Sequence, residues 1–310
     1  MQWIGIDIGG TTLKYGLVDQ AGRVSQKRQV PTPKTHELLL EQLTQIIMDF
    51  QKLQVIQGVG ISAPGVIQAD GTMMTAGALS DSYGRNLISD LQINIDLPIY
   101  VENDANAATI AEQWLGNAQG KKNYLFLVLG TGVGGGIVIN EQVFRGAHGM
   151  AGEFGWMMID QLPQVGNLET ASVNEKASVI GGICEKYTQA TTQTITDARI
   201  VFEKAESGDQ IAQRVLGDFY RNLSVTLLNL ISCFDPEIVI IGGAISANQK
   251  FMKDLQVEIR KVAEKHEAIK AALKHFDVPL VAAKLQNDAG LIGAVYQVKS
   301  KIEKDLKSKV

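Results

Sequence analysis

The chain of 310 residues is 45% hydrophobic and 20% charged, proportions that are typical of a soluble globular protein long enough for two domains. The formal net charge of −4 argues against a nucleic-acid-binding surface, and no stretch approaches the ~20 apolar residues of a membrane span. The two cysteines lack metal-type spacing and the N-terminus lacks a signal-peptide pattern, so we expect a cytoplasmic protein without a disulfide framework.

The first half of the chain is predicted to combine strands and helices. Residues 2–30 contain three short strand-like runs separated by turns, which predict an antiparallel meander. The apolar residues of 36–52 recur at helical spacing. Residues 66–90 are rich in glycine and serine and lack periodicity, so we expect a loop with little regular structure. The other predicted elements of this half are strands over 55–61 and 98–102 and a helix over 105–115.

The second half, beyond a linker at 116–122, is predicted to repeat that order. Residues 123–145 are predicted to form strand, glycine turn, strand, turn and strand, and 146–170 a loop-rich stretch. The later predicted elements are helices over 171–232, a strand over 238–241, a helix over 248–265, a strand over 280–283 and a helix over 288–304. We therefore expect an α/β protein of two βββαβαβ-type halves, with domains over 1–117 and 118–288.

Two glycine turns stand at equivalent places in the two halves. Each follows a predicted strand. The first turn begins at Gly9 and the second at Gly130, and in each half the next turn comes ten residues later, at Asp19 or at Asn140. Glycine lets backbone N–H groups approach anionic oxygens, and threonine adds hydroxyl donors. Either turn alone is equally typical of a tight β-turn, but the matched pair favours triphosphate binding. The candidate nucleotide-binding residues are Gly9, Gly10, Thr11, Thr12, Gly130, Thr131, Gly132 and Gly134.

A strand-to-helix junction carries the candidate catalytic residue. Asn103 and Asp104 lie at this junction, where either could simply cap the helix. In the functional interpretation they hold a substrate hydroxyl, and Asp104 accepts its proton as the oxygen attacks phosphorus. A helix N-terminus stabilises a carboxylate and would make Asp104 a weaker base. Phosphoryl transfer tolerates a weak base because its loose transition state depends mainly on positioning and charge neutralisation.

Four further positions are weaker candidates. Glu153 stands among small residues and could bind two sugar hydroxyls, although a solvated surface glutamate is an equal alternative. Glu169, taken alone, is better explained as a charge at a helix N-terminus. Asp7 adjoins the first glycine turn and is the candidate for holding Mg²⁺ through water. Gly242-Gly243 follows a strand and would let an adenine lie against the backbone.

Together these motifs resemble the ROK family (repressor, open reading frame, kinase) of bacterial sugar kinases and regulators. The resemblance spans essentially the whole chain. It is carried by Asp7-Ile8-Gly9-Gly10-Thr11-Thr12, Ala63-Pro64-Gly65, Glu102-Asn103-Asp104-Ala105-Asn106, Gly130-Thr131-Gly132-Val133-Gly134-Gly135-Gly136, Ala151-Gly152-Glu153-Phe154-Gly155 and Ile241-Gly242-Gly243.

The resemblance implies a two-domain actin-like ATPase (ribonuclease-H-like) fold whose domains close on a sugar in a cleft. A C-terminal helix over about 289–310 would pack back on the first domain, and the protein would be a homodimer. The resemblance makes Asp104 the catalytic base and implies that the glycine turns hold ATP and Mg²⁺. It also implies that the sugar is bound by Gly65, Asn103, Asp104, Glu153 and Glu169.

The sequence departs from the family pattern at two places. Most members carry a histidine at the position of Trp156 and a cysteine cluster within the region that corresponds to 161–168, and this chain has neither. Those residues form the family's zinc site, so the departures imply that no zinc is bound. The histidine is also a sugar contact in the family, and an aromatic side chain there could stack on a sugar or accept a second ring. The zinc-less pattern is similar to the β-glucoside kinase branch and favours the 6-hydroxyl of glucose or a β-glucoside as acceptor.

Three other functions are alternatives. A kinase of N-acetylmannosamine or fructose would share the same motifs. Gly130-x-Gly132-x-x-Gly135 also fits a dinucleotide fingerprint, but an NAD-dependent oxidoreductase requires a helix directly after the glycines, where we predict a strand. The third alternative is a non-enzymatic sugar-sensing regulator. The family's repressors carry a helix-turn-helix before the first glycine turn, and the seven residues up to Asp7 leave no room for one, which favours the kinase. The expected partners are therefore a sugar and ATP, without nucleic acid or membrane.

Overall fold

The computed structural model describes residues 1–75, 77, 79–274 and 277–307, and the chain forms two compact units. Unit one consists of Met1–Gly120, Val143–Ala151 and the chain from Lys284 onward. Unit two consists of Lys121–Gln142 and Gly152–Ala283. The predicted domain boundaries at residues 117 and 288 stay predictions, and the last three residues of the helix predicted over 289–310 lie outside the described residues.

The strands and helices are numbered in chain order. The strands are β1 (Gln2–Ile8), β2 (Thr12–Asp19), β3 (Val24–Pro31), β4 (Val59–Ala63), β5 (Ile99–Asn103), β6 (Tyr124–Leu129), β7 (Val133–Ile139), β8 (Gln142–Val143), β9 (Val239–Gly242) and β10 (Leu280–Ala282). The α-helices are α1 (His36–Leu53), α2 (Leu87–Gln92), α3 (Asp104–Leu115), α4 (Val173–Ala177), α5 (Lys186–Thr191), α6 (Ala198–Glu206), α7 (Gln210–Phe234), α8 (Gln249–Ala263), α9 (Glu267–Ala272) and α10 (Ala289–Lys307). A π-helical segment, Ile180–Glu185, precedes α5.

The sheet of unit one places the ends of three strands together. Its order is β3-β2-β1-β4-β5, with β1 antiparallel to β2 but parallel to β4, and β4 parallel to β5. The register pairs Asp7 with Ser62 and Ala63 with Asn103. Because carboxyl ends of parallel strands meet at one edge, Asp7, Ser62 and Asn103 lie along the same edge, where ligands of α/β sheets usually bind.

The second sheet follows the same plan. Its order is β10-β9-β6-β7-β8, with β6 antiparallel to β7 and parallel to β9, and β9 parallel to β10. Val128, near the end of β6, pairs with Gly242 at the end of β9. The predicted α/β class and the repeated strand–glycine turn–strand arrangement are confirmed.

The helix α10 completes unit one by packing against α3 and β4. A methyl group on Gly293 would stand 1.7 Å from the carbonyl oxygen of Ala107 in α3, so only glycine permits this approach. A methyl group on Gly290 would stand 2.5 Å from Asp7 Oδ1. The α10 helix therefore supports both the helix that begins at Asp104 and the strand that ends beside Asp7.

The structure differs from the sequence-based expectation in the loop predicted over 66–90, which contains α2. The Asn86 side chain caps this helix by accepting a hydrogen bond from Ser89 N at 3.0 Å, and Leu87 and Leu91 are fully buried. A one-and-a-half-turn helix is too short for the apolar spacing to reveal.

Other predicted bounds also change. The strand predicted over 55–61 begins at Val59, because Val55 is 78% exposed and residues 54–58 form the connection that follows α1. The helical stretch predicted over 171–232 is broken into several helices, which restart at the side-chain caps Asp197 and Asp209. The short helix α9 was not predicted. Within the described part of the chain, no helix has both the length and the apolar character that a membrane crossing requires.

Candidate active site

Asp7 is held at the carboxyl end of β1 by a hydroxyl from the neighbouring strand. Ser62 Oγ donates a hydrogen bond to Asp7 Oδ1 at 2.8 Å. Burial raises the pKa of Asp7, although the Ser62 hydrogen bond and the charge of Lys14 oppose the increase. A nearby cation would favour the ionised form of Asp7. Mg²⁺ in proteins usually takes one or two carboxylates besides phosphates and waters, so the Asp7 carboxylate is a suitable partner for Mg²⁺ through water.

The first glycine turn is fixed by its own backbone and by Thr32. Gly9 N donates to Thr12 O at 3.0 Å, and Thr32 Oγ1 donates to Gly9 O at 2.6 Å. Thr11 is exposed, whereas Gly10 and Thr12 are partly exposed. In the alternative interpretation as a tight β-turn, glycine would serve to adopt a positive φ. Neither Gly9 nor Gly10 has a positive φ. A methyl group on Gly9 would stand 2.9 Å from Thr12 O, so the small size of Gly9 is what this turn uses.

The second glycine turn is organised by a side chain that the sequence did not single out. Asn174 Oδ1 accepts a hydrogen bond from Val133 N at 2.7 Å, across 41 residues of chain. Gly130 O accepts hydrogen bonds from Val179 N at 3.0 Å and Ile180 N at 3.3 Å. A methyl group on Gly130 would meet nothing within 4 Å. Protein packing therefore does not explain glycine at this position, whereas the close approach of a ligand would.

The dinucleotide alternative fails at this turn. The residues after the glycines form β7, Val133–Ile139, and not the helix that a dinucleotide fingerprint requires. Gly134 lies within that strand opposite Val128. The second turn thus joins two antiparallel strands, as the first one does.

Asn103 connects the candidate base to the backbone at Gly65. Its Oδ1 accepts a hydrogen bond from Asn106 N at 3.0 Å, so the predicted helix-capping role applies to Asn103. Its Nδ2 donates to Gly65 O at 3.0 Å and to Asp104 Oδ1 at 3.1 Å. The left-handed backbone at Gly65, with φ of +96°, lets its carbonyl accept this bond. Three of the predicted sugar-binding residues are therefore linked by one amide side chain.

Asp104 combines an accessible side chain with a raised pKa. The residue is exposed, and its Oδ1 accepts a hydrogen bond from Ala105 N at 2.8 Å. Desolvation by the surrounding protein raises the pKa of Asp104 to about 6; the backbone hydrogen bond from Ala105 lowers it, and the charge of Asp7 raises it. The expectation that the helix N-terminus would weaken this base is thus outweighed by desolvation. A carboxylate with a pKa near 6 suits general-base chemistry at neutral pH.

Glu153 and Trp156 lie on the turn that follows the small-residue segment. Glu153 is partly buried, Phe154 is buried, and the Trp156 side chain is 51% exposed. Gly152 has a φ of +103°, and a methyl group there would stand 2.3 Å from Gly135 O. The small residue at 152 therefore lets the turn pack closely on β7.

A cavity of about 590 Å³ in unit two brings several predicted residues together. Thr131 and Gly132 of the second glycine turn line it, as do Trp156 and Glu169. Glu169 is exposed, and its Oε2 accepts a hydrogen bond from Asn167 Nδ2 at 3.0 Å. The cavity thus combines backbone donors, an aromatic face and a carboxylate, a mixture that suits a polar ligand with apolar surfaces.

Gly242 and Gly243 have clear packing reasons. A methyl group on Gly242 would stand 2.6 Å from the Phe126 ring, and one on Gly243 would stand 2.0 Å from Leu129 O. Gly242 is buried, whereas Gly243 is exposed with a φ of +87°. Adenine contact at these residues stays a prediction, and Gly243 is the one that a ligand could reach.

No group of three or more histidine, cysteine, aspartate or glutamate residues that could hold a metal is found among the described residues. Cys184 is buried and Cys233 is exposed, and both are free thiols. The expected absence of zinc stays a prediction.

Known proteins resemble this chain over nearly its whole length. A sequence model described as the ROK family matches residues 3–301. A beta-glucoside kinase from Listeria innocua is 31% identical over 303 residues, which cover 96% of this chain and 97% of that protein.

Solved structures of related proteins also match nearly the whole chain. A proposed N-acetylmannosamine kinase from Listeria monocytogenes is 28% identical with a TM-score of 0.87, and the match covers 97% of this chain and 99% of that one. A ROK family glucokinase from Streptomyces griseus in complex with glucose and AMPPNP is 28% identical with a TM-score of 0.78, covering 97% and 100%. The predicted actin-like ATPase fold is confirmed.

Proposed function

The chain belongs to the ROK family, and we propose that this sugar kinase transfers the γ-phosphoryl group of ATP to the 6-hydroxyl of glucose or of a β-glucoside. The observation that carries the proposal is Asp104, the first residue of α3, whose carboxylate accepts a hydrogen bond from Asn103 and has its pKa raised to about 6 by desolvation. The acceptor is proposed from the β-glucoside kinase relative and the glucokinase complex.

In the proposed reaction the sugar oxygen attacks the γ-phosphorus, and its proton passes to the Asp104 carboxylate. The new O–P bond forms as the bond to the β-phosphate oxygen breaks, and ADP leaves. Asn103 keeps Asp104 oriented, because its Nδ2 donates to Asp104 Oδ1 while its Oδ1 is fixed by the helix backbone. A fixed base saves the reorganisation that a mobile one would need in the transition state.

The glycine turns would bind the triphosphate. Thr11 and Thr131 are exposed and can donate hydroxyl hydrogen bonds, and the open space at Gly130 allows phosphate oxygens to approach the backbone. Asp7 would hold Mg²⁺ through water, and Mg²⁺ when bound neutralises phosphate charge.

The sugar contacts are proposed for Gly65, Asn103, Glu153 and Glu169, as the family resemblance implies. Trp156 stands where the family has its histidine. Its exposed side chain and Glu169 both line the cavity in unit two. Sugar rings stack well on aromatic faces, so this position favours an acceptor that carries a second ring.

Two related substrates are second candidates. The neighbour from Listeria monocytogenes, proposed to act on N-acetylmannosamine, favours that sugar, and a fructose kinase would use the same base. A sugar-sensing regulator without kinase activity is disfavoured by the retained Asp104, whose raised pKa suits proton transfer.

A screen of ADP release tests the proposal. We would compare glucose, N-acetylmannosamine, fructose, cellobiose and gentiobiose, and we expect the highest kcat/KM with glucose or a β-glucoside. A higher kcat/KM with N-acetylmannosamine or fructose would replace the proposed acceptor. Turnover with none of the sugars, together with sugar binding by calorimetry, would favour the regulator.

Asp104→Asn supplies the matched control for the screen. The amide is nearly isosteric but cannot accept the proton, so we expect kcat to fall by roughly 10²–10⁴-fold. Glucose binding measured by calorimetry should persist, because an amide still forms hydrogen bonds with a sugar hydroxyl. A near-normal kcat would show that Asp104 is not the base.

We further propose that the protein acts as a cytoplasmic homodimer. The homodimer is implied by the family resemblance, and the location follows from the need for ATP. Light scattering of the purified chain measures the mass, and a mass of one chain at micromolar concentration would contradict the homodimer.

A further inference from the structure

An ion pair between Glu102 and Arg145 lies close to the proposed catalytic base, since Glu102 is two residues before Asp104 in the chain. Glu102, the residue before Asn103 on β5, is 3% exposed. Its Oε2 pairs with Arg145 Nη2, and its Oε1 accepts a hydrogen bond from Asn103 N at 3.2 Å. The same carboxylate therefore contacts both the guanidinium group and the backbone of the residue that orients Asp104.

Two hydrogen bonds fix Arg145 at the start of the segment 145–151. Its Nη1 donates to Val143 O at 3.3 Å, and its backbone oxygen accepts from Ala151 N at 3.2 Å. This segment belongs to unit one, and Gly149 within it packs against Ile67 O and Val66. Arg145 thus joins the small-residue segment to β5 within one compact unit.

We propose that Arg145 is a positioning residue for the phosphoryl transfer. By neutralising Glu102 it keeps the Glu102 carboxylate turned towards Asn103 N, and Asn103 in turn keeps Asp104 in place. The inference rests on the proposed function, because it assigns Arg145 a role in the reaction of Asp104.

The two partners are unequal in burial, and this makes the proposal testable. The Glu102 side chain is 4% exposed, whereas the Arg145 side chain is 31% exposed. Without Arg145, a buried carboxylate would remain without its cation and would turn towards water, which breaks its bond to Asn103 N. Without the Glu102 charge, the partly exposed guanidinium group can still be hydrated. Loss of the cation should therefore be far more harmful than loss of the anion.

The first test is Arg145→Met. We expect kcat to fall at least tenfold, an effect of about the size that a small displacement of a catalytic group causes. The KM for ATP should stay within about twofold, because Arg145 acts through Asn103 and not on the nucleotide. Arg23→Met is the matched control, since Arg23 also forms an ion pair, with Asp19, but its side chain is 83% exposed. The control should leave kcat unchanged.

The double variant separates positioning from direct action. Glu102→Gln keeps an oxygen acceptor for Asn103 N, and Glu102→Gln/Arg145→Met should recover most of the kcat that Arg145→Met loses. Should Arg145→Met fail to fold, Arg145→Lys replaces it; lysine keeps the charge without the planar fork and should lower kcat by a smaller factor.

Two outcomes would overturn the inference. One is an unchanged kcat in Arg145→Met, whether or not the melting temperature falls, and another is a double variant as impaired as Arg145→Met. The last outcome would mean that Arg145 acts on the substrate itself. A wild-type chain that phosphorylates no sugar would overturn the proposed function and this inference with it, whereas an active wild type with an active Arg145→Met overturns the inference alone.

Discussion

At the scale of single residues, the environment of Asp104 decides what its carboxylate can do. The sequence places it at a helix N-terminus, where a carboxylate is stabilised, and the spacing alone predicts a weak base. Desolvation in the folded protein reverses that expectation and raises the pKa of Asp104 to about 6. The position of Asp104 could be predicted from the strand-to-helix pattern, but its basicity could not, because desolvation depends on the folded surroundings.

The raised pKa predicts how activity depends on pH. Only the ionised carboxylate can accept a proton, so kcat/KM should be constant above the pKa of Asp104 and fall as the pH decreases through about 6. Initial rates with subsaturating glucose over about pH 5 to 8 measure this profile, and the residual activity of Asp104→Asn should lack the decrease. A wild-type profile that stays flat to pH 5 would contradict the assignment.

Trp156 should control the choice between a free sugar and a glucoside. Trp156→Ala removes the exposed ring, and we expect the ratio of kcat/KM for cellobiose to that for glucose to fall by roughly threefold to tenfold, the range of an aromatic contact. Trp156→Phe keeps a ring and should preserve most of the ratio. Equal losses for both sugars in Trp156→Ala would argue against selective stacking.

At the scale of elements, the strand ends were predictable and their supports were not. Apolar runs followed by glycine turns identify β1, β6 and the strands that follow them. Asn174 could not be assigned to the second turn, since its bond to Val133 N spans 41 residues. The sequence around Asn174 offers the helix cap Ser172, whose hydroxyl oxygen accepts a hydrogen bond from Glu175 N. This residue indicates the start of α4 and not a binding site.

Asn174→Ala tests whether the second glycine turn needs this support. Val133 N would lose its acceptor, so we expect the free energy of unfolding to fall by about 1 kcal/mol and the KM for ATP to rise severalfold. Asn86→Ala is the control, because it removes the cap of α2 at a similar cost of about 1 kcal/mol but lies on a different element. An unchanged KM for ATP in Asn174→Ala would mean that the turn holds its shape unaided.

At the scale of the whole molecule, the α/β class and the repeated order of elements could be read from periodicity. The short helices α2 and α9 could not be predicted, because fewer than two turns carry no usable period. The site could be predicted as a set of residues, but the ion pair of Glu102 with Arg145 appears only when β5 and the segment from Val143 are folded together.

Zinc content is a prediction that concerns the whole chain. The family's zinc ligands are absent at Trp156 and across 161–168, so purified protein should contain no stoichiometric zinc by plasma mass spectrometry. Treatment with a chelator, followed by restored Mg²⁺, should leave the melting temperature and kcat unchanged. One zinc ion per chain would contradict this expectation and require other ligands.

The helix α10 has a consequence for how the polypeptide matures on the ribosome. Unit one is assembled from three separate stretches, and its last stretch supplies the helix that fills the space against α3 and β4. The N-terminal stretch therefore leaves the exit tunnel with a groove where that helix will later sit, and it cannot reach its final packing until α10 has been synthesised. A chain that ends before Ala289 and has been released from the ribosome would keep this groove open to solvent, whereas unit two, whose stretches end at Ala283, could already be closed.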